Sequence, residues 1–235
     1  MNRNGFLSAS ATLVASGVAA PALAAVPGGT SFVETKAEFD IAAFTKLLGR
    51  PAEIRQVFEQ VSFQPGLLNN VKNALNGLQF GFGYPAKTIA AAIAGHGAAA
   101  SFGFSDYVWE KYRIGDFIGA KDASGASLTS NVYLKSSTHF DTSSDPNDET
   151  SMYQEKSIEM LQKRGVVMLT CHTAVEEQAK NLVRKGFAPA GMTASDVASD
   201  ILTHLIPGAV VVPSMVATVA VLQARFRYTY AALTF

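Results

Sequence analysis

A single cysteine, Cys171, stands among 235 residues. No intrachain disulfide can form and no cysteine-rich metal centre can be assembled, so the fold must rest on its apolar core. An excess of charge is missing too: 19 Lys and Arg face 19 Asp and Glu, without blocks of one sign. That balance excludes nucleic acid and an acidic membrane surface as electrostatic partners. Beyond the first 24 residues, the apolar run from Ala209 to Leu222 is too short and too interrupted by Pro213 to span a bilayer, so no integral membrane segment is expected in the mature chain. Nucleophile elbow, Ser-His-Asp order and phosphate-cradling glycine spacing are all lacking, and no cofactor is expected. What is present is 48% hydrophobic content, enough for a substantial single core.

The first 24 residues differ from the rest. Arg3 is their only charge, an Ala/Ser/Val/Leu stretch runs from Phe6 to Leu23, and Ala22-Leu23-Ala24 offers a small-x-small cleavage site before Ala25. This pattern predicts an export signal over 1–24 and a periplasmic or otherwise exported mature chain. Arg3-Asn4-Gly5-Phe6-Leu7 is similar to the twin-arginine pattern with asparagine in place of the second arginine, which leaves the export route open. A leader segment, 25–52, follows with one short helix over Glu38 to Leu48.

From residue 53 onward, apolar strands alternate with amphipathic helices. Strands are predicted over Glu53 to Ser62, Thr88 to Ala94, Val166 to Cys171, Ala209 to Val212 and Tyr228 to Leu233. Helices are predicted over Leu67 to Gln79, Ser101 to Tyr112, Ser151 to Arg164, Thr173 to Lys185, Thr193 to Leu205 and Met215 to Phe226. Between them lies a polar insertion, 119–150, in which Val132-Tyr133-Leu134 is a candidate short strand. Alternation of this kind implies an α/β fold, a three-layer sandwich with a mainly parallel sheet.

Cys171 falls where the uncharged strand hands over to a helix. Thr173 and Glu176 have the spacing of a capping box, so the helix is expected to begin at Thr173, two residues past the sulfur. In open α/β sheets this carboxyl edge is where ligands collect. A free thiol titrates near ~8.5, and one helix N-terminus lowers that by about one unit, which is partial activation. A second cation or donor is needed for a strong nucleophile. His96, after the second strand, is the candidate partner, and His172 is adjacent in sequence. The plainer readings are a buried small hydrophobe for Cys171 and hydrogen-bonded loop or helix residues for the histidines.

The stretch IEMLQKRGVVMLTCHTAVEEQAK, Ile158 to Lys180, with AVVVPSMVATVAVLQARFRYTY, Ala209 to Tyr230, resembles the DsrE/DsrF-like superfamily of flavodoxin-like α/β proteins. LLNNVKNALNG and TIAAAIAGHGAAASF add support, so the resemblance runs from Arg55 onward as a single DsrE-like domain, 53–235. It implies a role in binding or transferring persulfide sulfur on Cys171, with His96 assisting and Thr173 and His172 in support. Implied partners are small sulfur species or a sulfur-carrier protein, together with homo-oligomerisation. The alternative is a non-catalytic periplasmic binding or assembly module of the same fold.

Two further groupings have plainer explanations. His139, Asp141, Asp145, Asp148 and Glu149 match no zinc or calcium spacing and read as a solvated loop. Trp109 with Phe102, Phe104, Tyr107 and Tyr112 reads as core or subunit interface, and His204 as a helix-end residue.

Overall fold

The computed structural model describes residues 39–135, 142–143, 145–150 and 153–233. The expected signal 1–24, most of the leader, His139 and Asp141 lie outside the described residues. In chain order the main elements are α1 (Ile41–Leu48), β1 (Ile54–Gln60), α2 (Gly66–Asn76), β2 (Ile89–Gly95), α3 (Asp106–Lys111), α4 (Ile114–Ile118), β3 (Thr142–Ser143) and β4 (Tyr153–Gln154). They continue with α5 (Ile158–Lys163), β5 (Val166–Cys171), α6 (His172–Arg184), α7 (Ala194–Thr203), β6 (Ala209–Val212), α8 (Met215–Phe226) and β7 (Thr229–Ala232).

Five strands form one all-parallel sheet in the order β6-β5-β2-β1-β7. The two central strands explain why it is parallel and covered on both sides. β2 reads IAAAIAG and β5 reads VVMLTC, and every residue of both is buried. Such strands have no face to offer water, so helices must pack above and below. Alternate side chains divide between two layers. Phe58, Ile93 and Met168 meet α2 and α5 on one face. Val57, Ala92 and Val167 belong to the other core with α1, α6 and α8. The result is a flavodoxin-like three-layer α/β sandwich. Its edge strand beside β1 comes last in the chain, where the flavodoxin order 2-1-3-4-5 has the second strand there.

That placement fixes the topological switch. From β1 the chain moves outward through β2, β5 and β6, then returns to the far side of β1 as β7. The helix after β1, α2, and the helix before β7, α8, belong to opposite layers. The strand order therefore switches sides between β1 and β7, although no described helix leaves the carboxyl end of β7.

Several local expectations are corrected. The helix expected from Ser151 is α5, which starts only after Ser157, whose Oγ accepts the Met160 N–H; Gly165 ends that turn at φ +83°, in the left-handed region open to glycine. The helix expected over Ser101 to Tyr112, with Ser105 as a candidate start, is the short α3, which begins just after Ser105; the residues before it, Gly97–Gly103, form a 3-10 segment. Val132-Tyr133-Leu134 is a turn rather than a strand; the Tyr133 and Leu134 carbonyls instead accept the Ile158 and Glu159 N–H groups. Trp109, Tyr112, Phe102 and Phe104 are core, each no more than 1% exposed, with the indole N–H donating to the Ser101 carbonyl. Tyr107 is exposed and lies 4.2 Å from the His204 ring, and His204 ends α7. No described helix is long and apolar enough to cross a membrane.

Candidate functional site at the carboxyl edge of the sheet

The sulfur of Cys171 is the cap of a helix. α6 starts at His172, one residue earlier than the Thr-x-x-Glu spacing predicts, and Sγ accepts the Ala174 N–H at 3.4 Å. The same Sγ accepts the Met215 N–H, at the start of α8, at 3.3 Å. Two helix N-termini thus converge on one atom, each bringing unsatisfied amides and the positive end of a macrodipole. Register explains the convergence: Cys171 pairs with Val212, so the turns that leave β5 and β6 lie side by side. Thr173 does not cap through its hydroxyl, which donates to the Pro213 carbonyl at 2.9 Å and ties the two turns together.

The sulfur is also closed off, only 4% exposed. Burial pushes the thiol pKa up, and the amides of Ala174, Met215 and Thr173 offset only part of that rise. The sequence expectation of a thiolate favoured by its helix is corrected: at neutral pH the resting group is a protonated thiol. Desolvation outweighs both helix ends.

His96 follows β2, and Gly95 pairs with Thr170, so the structure does bring it to the strand next to Cys171. Its side chain is committed elsewhere. Nε2 lies 3.0 Å from Glu59 Oε1, and the Tyr230 hydroxyl donates to Glu59 Oε2. Tyr230, Glu59 and His96 therefore form a hydrogen-bonded line across β7, β1 and the end of β2, at the switch point. Sequence reasoning missed Glu59 and Tyr230. The signal was available for Glu59: in IRQVFEQ it shares the face of Val57, and a carboxylate at the core face near a strand end calls for a partner.

His172 occupies the first turn of α6, 3% exposed, with Nδ1 at 4.0 Å from Glu176 Oε1. Burial raises the Glu176 carboxyl pKa against the lowering effect of Lys180. One turn on, Gln178 donates from Nε2 to the Gly97 carbonyl and so joins α6 to the loop that carries His96. The four expected residues thus share one edge but fall into separate groupings: Cys171 on backbone amides, Thr173 on Pro213, His172 near Glu176, and His96 on Glu59.

Among the described residues no three His, Cys, Asp or Glu side chains gather as a metal site. Asp145 and Asp148 accept backbone N–H groups two residues ahead, as expected of a solvated loop. Comparison of the chain with models of known families, with curated proteins and with solved structures finds no match.

Proposed function

We propose that this chain is an exported protein that binds or transfers sulfane sulfur on Cys171. The observation that supports the reading is the pair of backbone amides, from two helices, aimed at one sulfur. Such a cradle stabilises negative charge on sulfur, and a persulfide, more acidic than the parent thiol, ionises more readily within it. In the uptake step the Cys171 thiol loses its proton to solvent. Sγ attacks the terminal sulfur of an inorganic polysulfide, a new S–S bond forms, and the donor's S–S bond breaks, with the electron pair leaving on the shortened polysulfide. No external oxidant or reductant enters. Because Sγ is buried, the step requires the Pro213–Met215 turn to open. His96 stands at the end of the adjacent strand β2, its imidazole held by Glu59.

Mass spectrometry after incubation with sodium polysulfide tests this. An adduct of about 32 Da, one sulfur atom, is expected on the wild type and absent from Cys171→Ser. An unmodified thiol at every concentration, with modification appearing only in denaturant, overturns the proposal. The second reading, a non-catalytic binding or assembly module, draws on the closed thiol itself, since an inaccessible sulfur is a packing residue. Under that reading Cys171→Ala keeps ligand binding and assembly.

A further inference from the structure

α1 and α8 leave a groove of about 220 Å³ between them, which reaches Pro213 and Ser214 of the turn that covers Cys171. Its walls include Phe39, Ile41, Phe44, Ala217, Val221 and Phe226, and among the described residues Arg225 is its only charged lining residue. Arg225 and Phe226 also line a second cavity, of about 450 Å³, so the two meet at the end of α8. This second cavity is polar, lined by Arg55, Arg225 and Arg227 against a single acid, Glu53. Taken together their size suits a small-molecule site, roughly 300–1,000 Å³. The Arg55 guanidinium is engaged by the Ala52 and Arg50 carbonyls. Arg225 and Arg227 form no hydrogen bond or ion pair with a described residue, and Arg225 lies only against the Phe226 ring.

Arg227 adds an independent observation. It ends α8 at φ 60°, ψ 36°, the left-handed conformation that helix ends normally give to glycine. The backbone there is held by the Tyr228 N–H donating to the Leu222 carbonyl and by the buried Tyr228 hydroxyl on the Leu48 carbonyl. An exposed arginine thus stands at a strained position on the rim of the polar cavity.

We propose that the groove takes a single-chain amphipathic anion, its hydrocarbon chain lying between α1 and α8 and its anionic head on Arg225 and Arg227. The charge pattern selects this occupant: an apolar trough that passes at Arg225 into a polar cavity lined by Arg225 and Arg227 matches a molecule with one tail and one acidic head. The groove shares Pro213 and Ser214 with the turn over Cys171, but its anion contacts are Arg225 and Arg227 and not the sulfur, so the polysulfide adduct and amphiphile binding are read separately and the two readings fail separately.

Calorimetric titration of the full chain with decanoate, decyl phosphate and decanol tests it. Both anions are expected to bind at least about tenfold tighter than decanol, and Arg225→Gln with Arg227→Gln to erase that difference. The tighter anion identifies the head group as carboxylate or phosphate. Ala217→Trp, which fills the trough from an exposed position, is expected to abolish binding of all three. Arg227→Gly is expected to raise the melting temperature while weakening the anions, which separates loss of binding from loss of fold. Equal affinity for decanol and decanoate, binding that survives Ala217→Trp, or no heat below micelle formation overturns the proposal. So does adsorption only to anionic phospholipid vesicles, with no binding of the free amphiphiles.

Discussion

At the residue scale, Cys171 occupies a position that serine, threonine or aspartate usually takes at a helix start. Sulfur is a weaker acceptor than oxygen, but its size lets it reach two amides from two helices at once. Cys171→Ala leaves both N–H groups buried without acceptors and is expected to cost about 2 kcal/mol in urea unfolding, with Cys171→Ser recovering part of it. The pH dependence has a definite sign. Since the folded thiol titrates above its unfolded value of about 8.5, the unfolded chain releases its proton first as pH rises. The contribution of Cys171 to stability is complete below that value and is lost as pH climbs toward the folded one. Comparing unfolding at pH values below and above about 8.5 should show a fall that Cys171→Ala removes. Arg227→Gly makes the opposite case: the left-handed strain goes, and a gain of about 0.5–1 kcal/mol is expected, visible as a higher midpoint in the same assay.

At the element scale, the junction between α3 and α7 is a polar staple around Asp200. Tyr112 donates to Asp200 Oδ2 at 2.7 Å, Lys111 to the same oxygen at 2.9 Å, and Tyr107 to Oδ1 at 3.3 Å. Burial works against the carboxylate, yet the Tyr112 and Lys111 hydrogen bonds outweigh it and hold the Asp200 pKa below its usual value. Burial, reinforced by Asp200, pushes the Tyr112 phenol far up. The hydrogen bond to Tyr107, followed by that to Asp200, raises Lys111. The staple is therefore intact above the unfolded aspartate pKa of about 3.9 and lost as pH falls through the lower folded value; at the alkaline end its contribution to stability declines above about 10, where the unfolded chain releases protons that folded Lys111 and Tyr112 keep. Asp200→Asn should flatten the acid limb of the stability profile and cost about 1–2 kcal/mol at neutral pH, measured by denaturant unfolding.

Elements of this kind differ in how far a sequence discloses them. The five main strands were legible because IAAAIAG and VVMLT have no polar face, and the start of α7 was legible because Thr193 and Asp196, which cap it, stand three residues apart. The start of α6 was not, since the choice between Cys171 and Thr173 as cap is made by Pro213 and Met215, far along the chain. His96 was placed correctly at a strand end, but although the core face of β1 marks Glu59 as needing a partner, nothing local says that the partner is His96, on a neighbouring strand. The closure of Cys171 escaped reading for the same reason: the turn before α8 that covers it belongs to another β-α unit.

For the whole molecule, protection should be graded outward from the two strands that are buried throughout. β2 and β5 each have a paired strand on both sides, whereas β7 has four residues, pairs only with β1, and leaves Thr229, Tyr230 and Ala232 exposed. Native-state hydrogen exchange should find β2 and β5 amides among the slowest and those of β7 the fastest of the main sheet. Slow exchange in β7 matching β2 would indicate that a second chain covers that edge.

The strand order also has a temporal meaning. The Thr229 hydroxyl reaches back across 174 positions to the Arg55 carbonyl, joining the last strand to the first. While the polypeptide is still being synthesised, β2, β5 and β6 can assemble beside β1 as each emerges, but the border of β1 that pairs with β7 waits until β7 has been translated. Throughout the synthesis of everything between β1 and β7, a nascent chain thus carries that hydrogen-bonding margin without its native partner.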